Sequence, residues 1–138
     1  MPEVVRTLMV EALTTQAQRQ ARDSDYAEAA SSLILALALD PDNPELYILR
    51  GQMNLYLYEW DQSLADYNTA IELAPEDADA YFQRGVLYYS ILQTGQELRE
   101  EALADFKHYL ELAPDGPYAN QAQEYAVKIE AELAALAE

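Results

Sequence analysis

The strongest constraint on the fold of this chain is that its sequence repeats with a period of 34 residues. The aligned pairs at this shift are Tyr26 with Trp60, Ala36 with Ala70, Pro41 with Pro75, Arg50 with Arg84 and Gly51 with Gly85. A third unit has a longer period, because Phe106 lies 39 residues after Tyr67, and the five extra residues fall near 93–97. The three units span about 10–43, 44–77 and 78–116. Such periodicity is typical of proteins built from stacked supersecondary units.

Each unit contains two segments in which apolar residues recur at helical spacing, separated by a short polar turn. Each unit also closes on a proline followed by an acidic residue, and proline ends one helix where the next begins. A seventh segment of helical period, at about 117–136, follows Gly116 and carries one apolar stripe. The pattern predicts an all-α chain of seven helices, in which the last helix caps the exposed end of three helical hairpins.

These residues resemble the tetratricopeptide repeat (TPR) family, and the resemblance covers 10–116. It implies a right-handed superhelical stack of three hairpins followed by a C-terminal capping helix. It also implies that a small residue in each first helix lets the second helix approach closely, against a large residue that fills the remaining space. The small residues are Ala17, Gly51 and Gly85, and the large residues are Leu33, Tyr67 and Phe106.

The length and charge of the chain exclude several other classes of protein. The 138 residues are enough for one compact domain, and we expect 1–138 to form a single domain. The formal net charge of -17 repels nucleic acid and anionic membranes, so neither is expected as a partner. Acids such as Asp66 and Asp105 are expected on outer helix faces, where they keep the chain soluble. The absence of a secretory signal or a membrane-spanning apolar run predicts a cytoplasmic location.

The residue types that carry catalysis are not arranged for it in this sequence. The chain has no cysteine and a single histidine, His108, which is predicted to be a solvated surface residue. Three carboxylates, Glu11, Glu45 and Asp79, recur at 34-residue spacing, and we interpret them mainly as residues of first helical turns that the helix dipole favours. We therefore expect no enzymatic activity, no cofactor and no bound metal.

Two of the predicted first helices, 46–58 and 81–92, are apolar on nearly every side. A helix of this kind is expected to be buried on every side, yet stacked hairpins leave one face of each first helix uncovered. In the TPR family this face lines a concave groove that receives a peptide or a partner helix. By this resemblance the candidate binding residues are Ile48, Gln52, Leu55, Tyr56, Phe82, Val86 and Tyr89, with Glu11, Glu45 and Asp79 at the rim.

Three occupants of this apolar face remain open: a partner peptide or helix, a second copy of the chain, and the chain's own last helix. The first makes the chain a non-catalytic adaptor for a protein partner with apolar residues and neutral or basic flanks, which the rim carboxylates select. The second makes it a homodimerisation module. The inserted segment near 93–97 is a further candidate for partner contact. The clamp with which chaperone-binding TPR proteins hold a terminal carboxylate is lacking, because the matching positions are Thr14, Gln18, Leu49, Asp79 and Gln83.

Overall fold

The computed structural model describes residues 1–92 and 96–138. The helices are α1 (Glu3–Arg22), α2 (Tyr26–Leu39), α3 (Pro44–Tyr56), α4 (Trp60–Leu73), α5 (Ala78–Ile91), α6 (Arg99–Leu112) and α7 (Ala119–Leu136). No strand occurs in the two described ranges, so the prediction of an all-α chain with seven helices is confirmed for them. Most of the predicted insertion, 93–95, lies outside the described residues, and 96–98 have no regular structure.

The helices fall into two compact units, the first unit Met1–Ala74 and the second unit Pro75–Glu138. These two units are not the three sequence repeats, because the first contains two hairpins and the second contains one hairpin and α7. In the first unit α1 packs against α2, α3 packs against α4, and α2 also contacts α3. In the second unit α6 packs against both α5 and α7. The proposed single domain over 1–138 and the repeat boundaries at about 10–43, 44–77 and 78–116 stay predictions.

Equivalent polar groups cap the starts of α3 and α5. The Asn43 side chain accepts a hydrogen bond from the backbone N–H of Glu45 at 3.1 Å, and the Asp77 side chain accepts one from the N–H of Asp79 at 3.1 Å. These caps satisfy backbone donors that a helix start leaves without a partner. Glu45 and Asp79 lie in the first turns of their helices, as the helix-dipole argument predicted. That argument was wrong for Glu11, because α1 begins about two turns earlier.

A glycine in α3 and a glycine in α5 lie against large buried rings of the facing helices. A Cβ atom at Gly51 would lie 2.5 Å from Cε1 of Tyr67, and one at Gly85 would lie 3.0 Å from Cε1 of Phe106. Both rings are fully buried. The prediction that small residues let the second helix of these hairpins approach closely is therefore confirmed.

We expect Gly51→Ala to lower the free energy of unfolding by about 1–3 kcal/mol, because the added methyl group overlaps the Tyr67 ring. Alanine is otherwise the better helix former, so any loss reports the steric overlap. Chemical denaturation followed by circular dichroism measures it.

The first hairpin supplies the control for this experiment, since it pairs Ala17 with Leu33 at the equivalent positions. In a Tyr67→Leu background, the Gly51→Ala change is expected to cost little or nothing. An equal cost in both backgrounds would contradict the assignment of Tyr67 as the obstacle.

Two hairpins contain, at equivalent positions, an ion pair between a partly exposed arginine and a buried aspartate. Arg50 donates to both carboxylate oxygens of Asp66, with Nη2 2.7 Å from Oδ1, and Arg84 makes the matching pair with Asp105 at 2.8 Å. Each of the two aspartates is 4% exposed, so their predicted position on outer helix faces is wrong. These carboxylates are buried because an arginine of the facing helix pairs with each of them.

The first hairpin has a neutral contact in place of the ion pair. Ser32, the repeat equivalent of Asp66, donates a hydrogen bond to the side-chain oxygen of Gln20 at 2.8 Å. In the second hairpin Asn54, the equivalent of Gln20, donates to Asp66 at 3.0 Å. The interior position is thus polar in both hairpins, but the hairpin forms with or without a charge there.

The single histidine, His108, keeps 43% of its side chain exposed, so its predicted surface placement is not contradicted. The His108 ring lies 4.3 Å from the ring of Tyr81, measured between centroids. Within the described part of the chain, no three His, Asp or Glu side chains are grouped closely enough to hold a metal ion. No helix in that part is both long enough and apolar enough to cross a membrane.

Candidate binding surface

Residues from the C-terminal half of α1, the first two turns of α2 and the middle and end of α3 line an open pocket of about 600 Å³ within the first unit. The residues that line it are Ala17, Gln18, Ala21, Arg22, Tyr26, Leu33, Leu49, Gln52, Met53 and Tyr56. The most buried of them are Ala17, Leu33 and Met53, so the interior of the pocket is apolar. A volume of this size is typical of ligand pockets that combine apolar walls with a few polar groups.

Four of the predicted binding residues lie on α3, and the structure separates them into two pairs. Gln52 and Tyr56 line the pocket. Ile48 does not line it and is buried, with 8% of its surface exposed, and Leu55 is half-buried outside the lining. The pocket therefore contains part of the predicted α3 surface and extends it towards α1 and α2.

Two tyrosine rings contact each other in the pocket lining. The centroids of Tyr26 and Tyr56 are 4.6 Å apart, with 33° between the ring planes, and Tyr56 is 50% exposed. Tyr26 was missing from the predicted binding residues. The 34-residue repeat contained a signal for it, because Tyr26 aligns with Trp60 and both are the first residues of a second helix. An aromatic residue recurring at a helix start indicates a packing or binding role.

In the second unit, residues of α7 and of the segment just before it cover the face of α5 that carries the predicted binding residues. Phe82 is 4% exposed, and its ring stacks on Tyr118 with 4.5 Å between centroids and 6° between planes. Tyr125 stacks on Phe106 in the same way, at 4.6 Å and 2°. Val86 is half-buried in the same apolar cluster. Of the three occupants left open by the sequence, the chain's own last helix contacts this face.

Tyr89 ties the second half of α7 to α5. Its hydroxyl donates to Oε1 of Glu132, and Nε of Arg99 donates to Oε2 of the same carboxylate at 3.2 Å. Burial, followed by the contact with Glu132, raises the pKa of Tyr89 to about 12. The hydrogen bond from Tyr89 lowers the pKa of Glu132, with Arg99 acting in the same direction. Tyr89 is thus engaged within its own unit.

The predicted rim carboxylates, Glu11, Glu45 and Asp79, are all exposed. None of them lines the pocket with Tyr56, and Glu11 lines a separate pocket of about 720 Å³ on α1. Glu45 lies at the start of α3, and the helical rise of 1.5 Å per residue places it about 16 Å from Tyr56 at the end of the same helix. A segment bound along α3 would therefore meet a carboxylate at one end and the pocket at the other.

The repeated hairpins and the final helix define an α-helical repeat protein. Residues 59–91 match the family model described as TPR repeat. The first TPR domain of human RPAP3, determined by NMR, is 26% identical to this chain, with a TM-score of 0.80 over 92% of this chain and 94% of that domain. The first TPR of Spaghetti (RPAP3) bound to the HSP90 peptide SRMEEVD is 25% identical, with the same TM-score and coverage. The resemblance is confirmed: one segment of the chain matches the TPR family model, and the solved TPR domains share the fold of the chain.

Curated relatives match only part of the chain. The SGT1 homolog of rice (Oryza sativa subsp. japonica) is 34% identical over 73 residues, which are 53% of this chain and 20% of that protein. The human mitochondrial import receptor subunit TOM70 is 34% identical over 61 residues, which are 44% of this chain and 10% of that protein. The matched segments thus span a fifth or less of these relatives, and the likeness concerns the repeats.

Proposed function

We propose that this protein is a non-catalytic adaptor that binds a segment of a partner protein in the pocket lined by α1, α2 and α3. The observation that carries the proposal is the open pocket of about 600 Å³, with apolar residues in its interior and Tyr56 half-exposed in its lining. Burial of one large apolar side chain contributes roughly 1.5–3 kcal/mol to association. The similar RPAP3 domain, which binds an HSP90 peptide, supports the same use of the fold.

The proposal assigns different roles to the predicted residues of the two units. Gln52 and Tyr56 contact the partner, whereas Phe82 and Tyr89 hold α7 against α5. A homodimer formed through the complete apolar face is the alternative, and it would have to displace the stacked rings over Phe82. The adaptor is favoured because it uses a pocket that is already open. We also propose that the partner carries neutral or basic residues opposite the rim carboxylates. The proposed location of the protein is cytoplasmic.

Peptide display against the full 138-residue chain tests the adaptor. We expect the selected peptides to bind the Tyr56→Ala variant at least about tenfold more weakly than the wild type, because buried aromatic contacts dominate such interfaces. Fluorescence anisotropy with a labelled selected peptide gives the dissociation constants.

The matched control is Tyr58→Ala. Tyr58 is 72% exposed and lies two residues after Tyr56, but it does not line the pocket, so the affinity is expected to stay unchanged. Circular dichroism checks that both variants remain helical. Failure to select any peptide, or an equal loss of affinity in the two variants, would count against the adaptor.

A further inference from the structure

We propose that the pocket of the first unit binds a large apolar side chain that is followed closely by a single carboxylate, and that Arg22 pairs with this carboxylate. This inference rests on the proposed adaptor function and specifies the partner chemistry at one end of the binding surface. It follows from the lining of the pocket, from the pairing of the chain's cations and from the position of Glu45.

The pocket suits an aromatic or large aliphatic side chain. Its most buried lining is apolar, and the neighbouring rings of Tyr26 and Tyr56 leave Tyr56 half-exposed to an incoming group. Aromatic rings favour offset or edge contacts with a further ring, in addition to the area that they bury. The polar groups of the lining, Gln18, Gln52 and Arg22, provide donors for the backbone and the flanking residue of a bound segment.

Four of the eight Lys and Arg residues make ion pairs within the described part of the chain, and Arg22 is not one of them. Those in ion pairs are Arg50, Arg84, Arg99 and Lys107. Within the described part of the chain Arg22 makes no such pair, although the chain is strongly acidic. It is exposed and lines the pocket, so its guanidinium is available to a carboxylate of a bound segment.

The helix dipole accounts for a cation at the end of α1 but not for a cation at the pocket. Arg19 and Arg22 both lie in the last turn of α1, where positive charge is favoured. Arg19 does not line the pocket with Tyr56 and lies instead in a second open pocket of about 720 Å³, with Glu11 and Thr15. Arg19 therefore serves as a matched control for every effect of Arg22 that arises from charge at the helix end alone.

The charges of Glu45 on α3 and Arg22 on α1 set a direction for the bound segment. Glu45 at the start of the helix is exposed and about 16 Å from Tyr56, whereas Arg22 lies at the pocket end. The net charge of -17 disfavours a partner with an extended acidic tail. A segment with one carboxylate beside its apolar anchor, and neutral or basic residues towards Glu45, is compatible with Arg22, with Glu45 and with the net charge.

Peptide display with the full chain tests the composition of the bound segment directly. Against the wild type, we expect enrichment of peptides with a large apolar residue and an Asp or Glu within two positions on one side of it. Against the Arg22→Glu variant, we expect that acid to disappear from the selected sequences and Lys or Arg to replace it. Against Arg19→Glu, the enrichment of the acid is expected to persist.

Dissociation constants then measure how much the ion pair between Arg22 and the peptide carboxylate contributes to binding. For one peptide selected on the wild type, we expect Arg22→Gln to weaken binding about three- to fivefold, the upper part of the range of an exposed ion pair. Replacing the acid of the peptide by its amide should cause a similar loss with the wild type and none with Arg22→Gln. The Arg19→Gln variant should bind both peptides as the wild type does.

The outcomes separate this inference from the adaptor itself. Peptides that are selected through Tyr56 but show no acid beside the anchor, or equal affinity for the wild type and Arg22→Gln, would overturn the Arg22 pairing and leave the adaptor intact. A selection that yields no binding peptide would overturn both. If the preference for an acid falls equally in the Arg19 and Arg22 variants, it arises from positive charge at the end of α1. That result would overturn the pairing of Arg22 with the bound carboxylate.

Discussion

Replacement of Arg84 by methionine is expected to lower the free energy of unfolding by about 3–5 kcal/mol, because it leaves a buried carboxylate without its partner. In the native chain Nε and Nη2 of Arg84 donate to the two carboxylate oxygens of Asp105, each at 2.8 Å. Asp105 is only 4% exposed. Methionine preserves much of the apolar stem of the arginine, so the loss reports mainly the charge. Chemical denaturation at neutral pH measures it.

The pH dependence of this loss distinguishes a stranded charge from a packing defect. Burial raises the pKa of Asp105, and Arg84 opposes that rise, so removal of Arg84 raises the pKa further. An acid with a higher pKa in the folded state than in the unfolded chain destabilises the fold while it is charged. This destabilisation is relieved as the pH falls through the pKa of the folded state. The deficit is therefore expected to shrink as the pH is lowered towards the sequence pI of about 4.1, where low net charge begins to limit solubility.

The control for this prediction removes both charges. The double variant Arg84→Met/Asp105→Leu is expected to recover most of the lost stability, since apolar residues often replace a buried ion pair without cost. The neutral contact between Ser32 and Gln20 in the first hairpin supports this expectation. A deficit that persists in the double variant and does not depend on pH would mean that Arg84 acts through packing.

The 34-residue repeat predicted the helices well, but charged residues were placed by their type alone. Arg50 and Arg84 were aligned with each other, and Asp66 and Asp105 are also equivalent once the five inserted residues are counted. Acids are mostly exposed, so the aspartates were expected on outer faces. An aspartate is buried when a partner lies opposite it on the facing helix. That pairing depends on the register of two helices, which a single helix pattern does not contain.

The apolar character of α5 was also predicted, but its cover was not. The periodicity indicated that α5 is apolar on nearly every side, and three occupants of its free face remained open. The stacked position of Tyr118 depends on the turn before α7, where the Tyr118 N–H donates to the hydroxyl of Tyr109 at 2.9 Å. A Cβ atom at Gly116 would lie 2.5 Å from that hydroxyl. Such a tertiary contact at a turn has no periodic signature in the sequence.

The pocket of the first unit was predicted in part for a similar reason. Gln52 and Tyr56, which line it, were among the predicted residues because the family resemblance indicates which positions of a first helix face the groove. Tyr26 was missed because it belongs to a second helix and reaches the pocket through its contact with Tyr56. A pocket that forms between helices includes residues that no single helix pattern selects.

Phe82→Ala is expected to lower the free energy of unfolding by about 3–5 kcal/mol, the usual loss for a buried phenylalanine. The change removes a ring that stacks on Tyr118 and lies 5.6 Å from the rings of both Phe106 and Tyr109. Because Tyr118 immediately precedes α7, we expect the start of α7 to lose protection first. Hydrogen exchange resolved along the chain, together with denaturation, measures both effects.

Tyr56→Ala provides the contrast, because Tyr56 came from the same sequence prediction but is 50% exposed. It is expected to change the free energy of unfolding by less than about 1 kcal/mol and to leave hydrogen exchange in α7 unchanged. Reduced peptide binding by Phe82→Ala would then follow from a loosened second unit, whereas reduced binding by Tyr56→Ala would follow from a lost contact. If Phe82→Ala kept full stability and protection of α7 while losing binding, Phe82 would be a contact residue and α7 would not be the cover of this face.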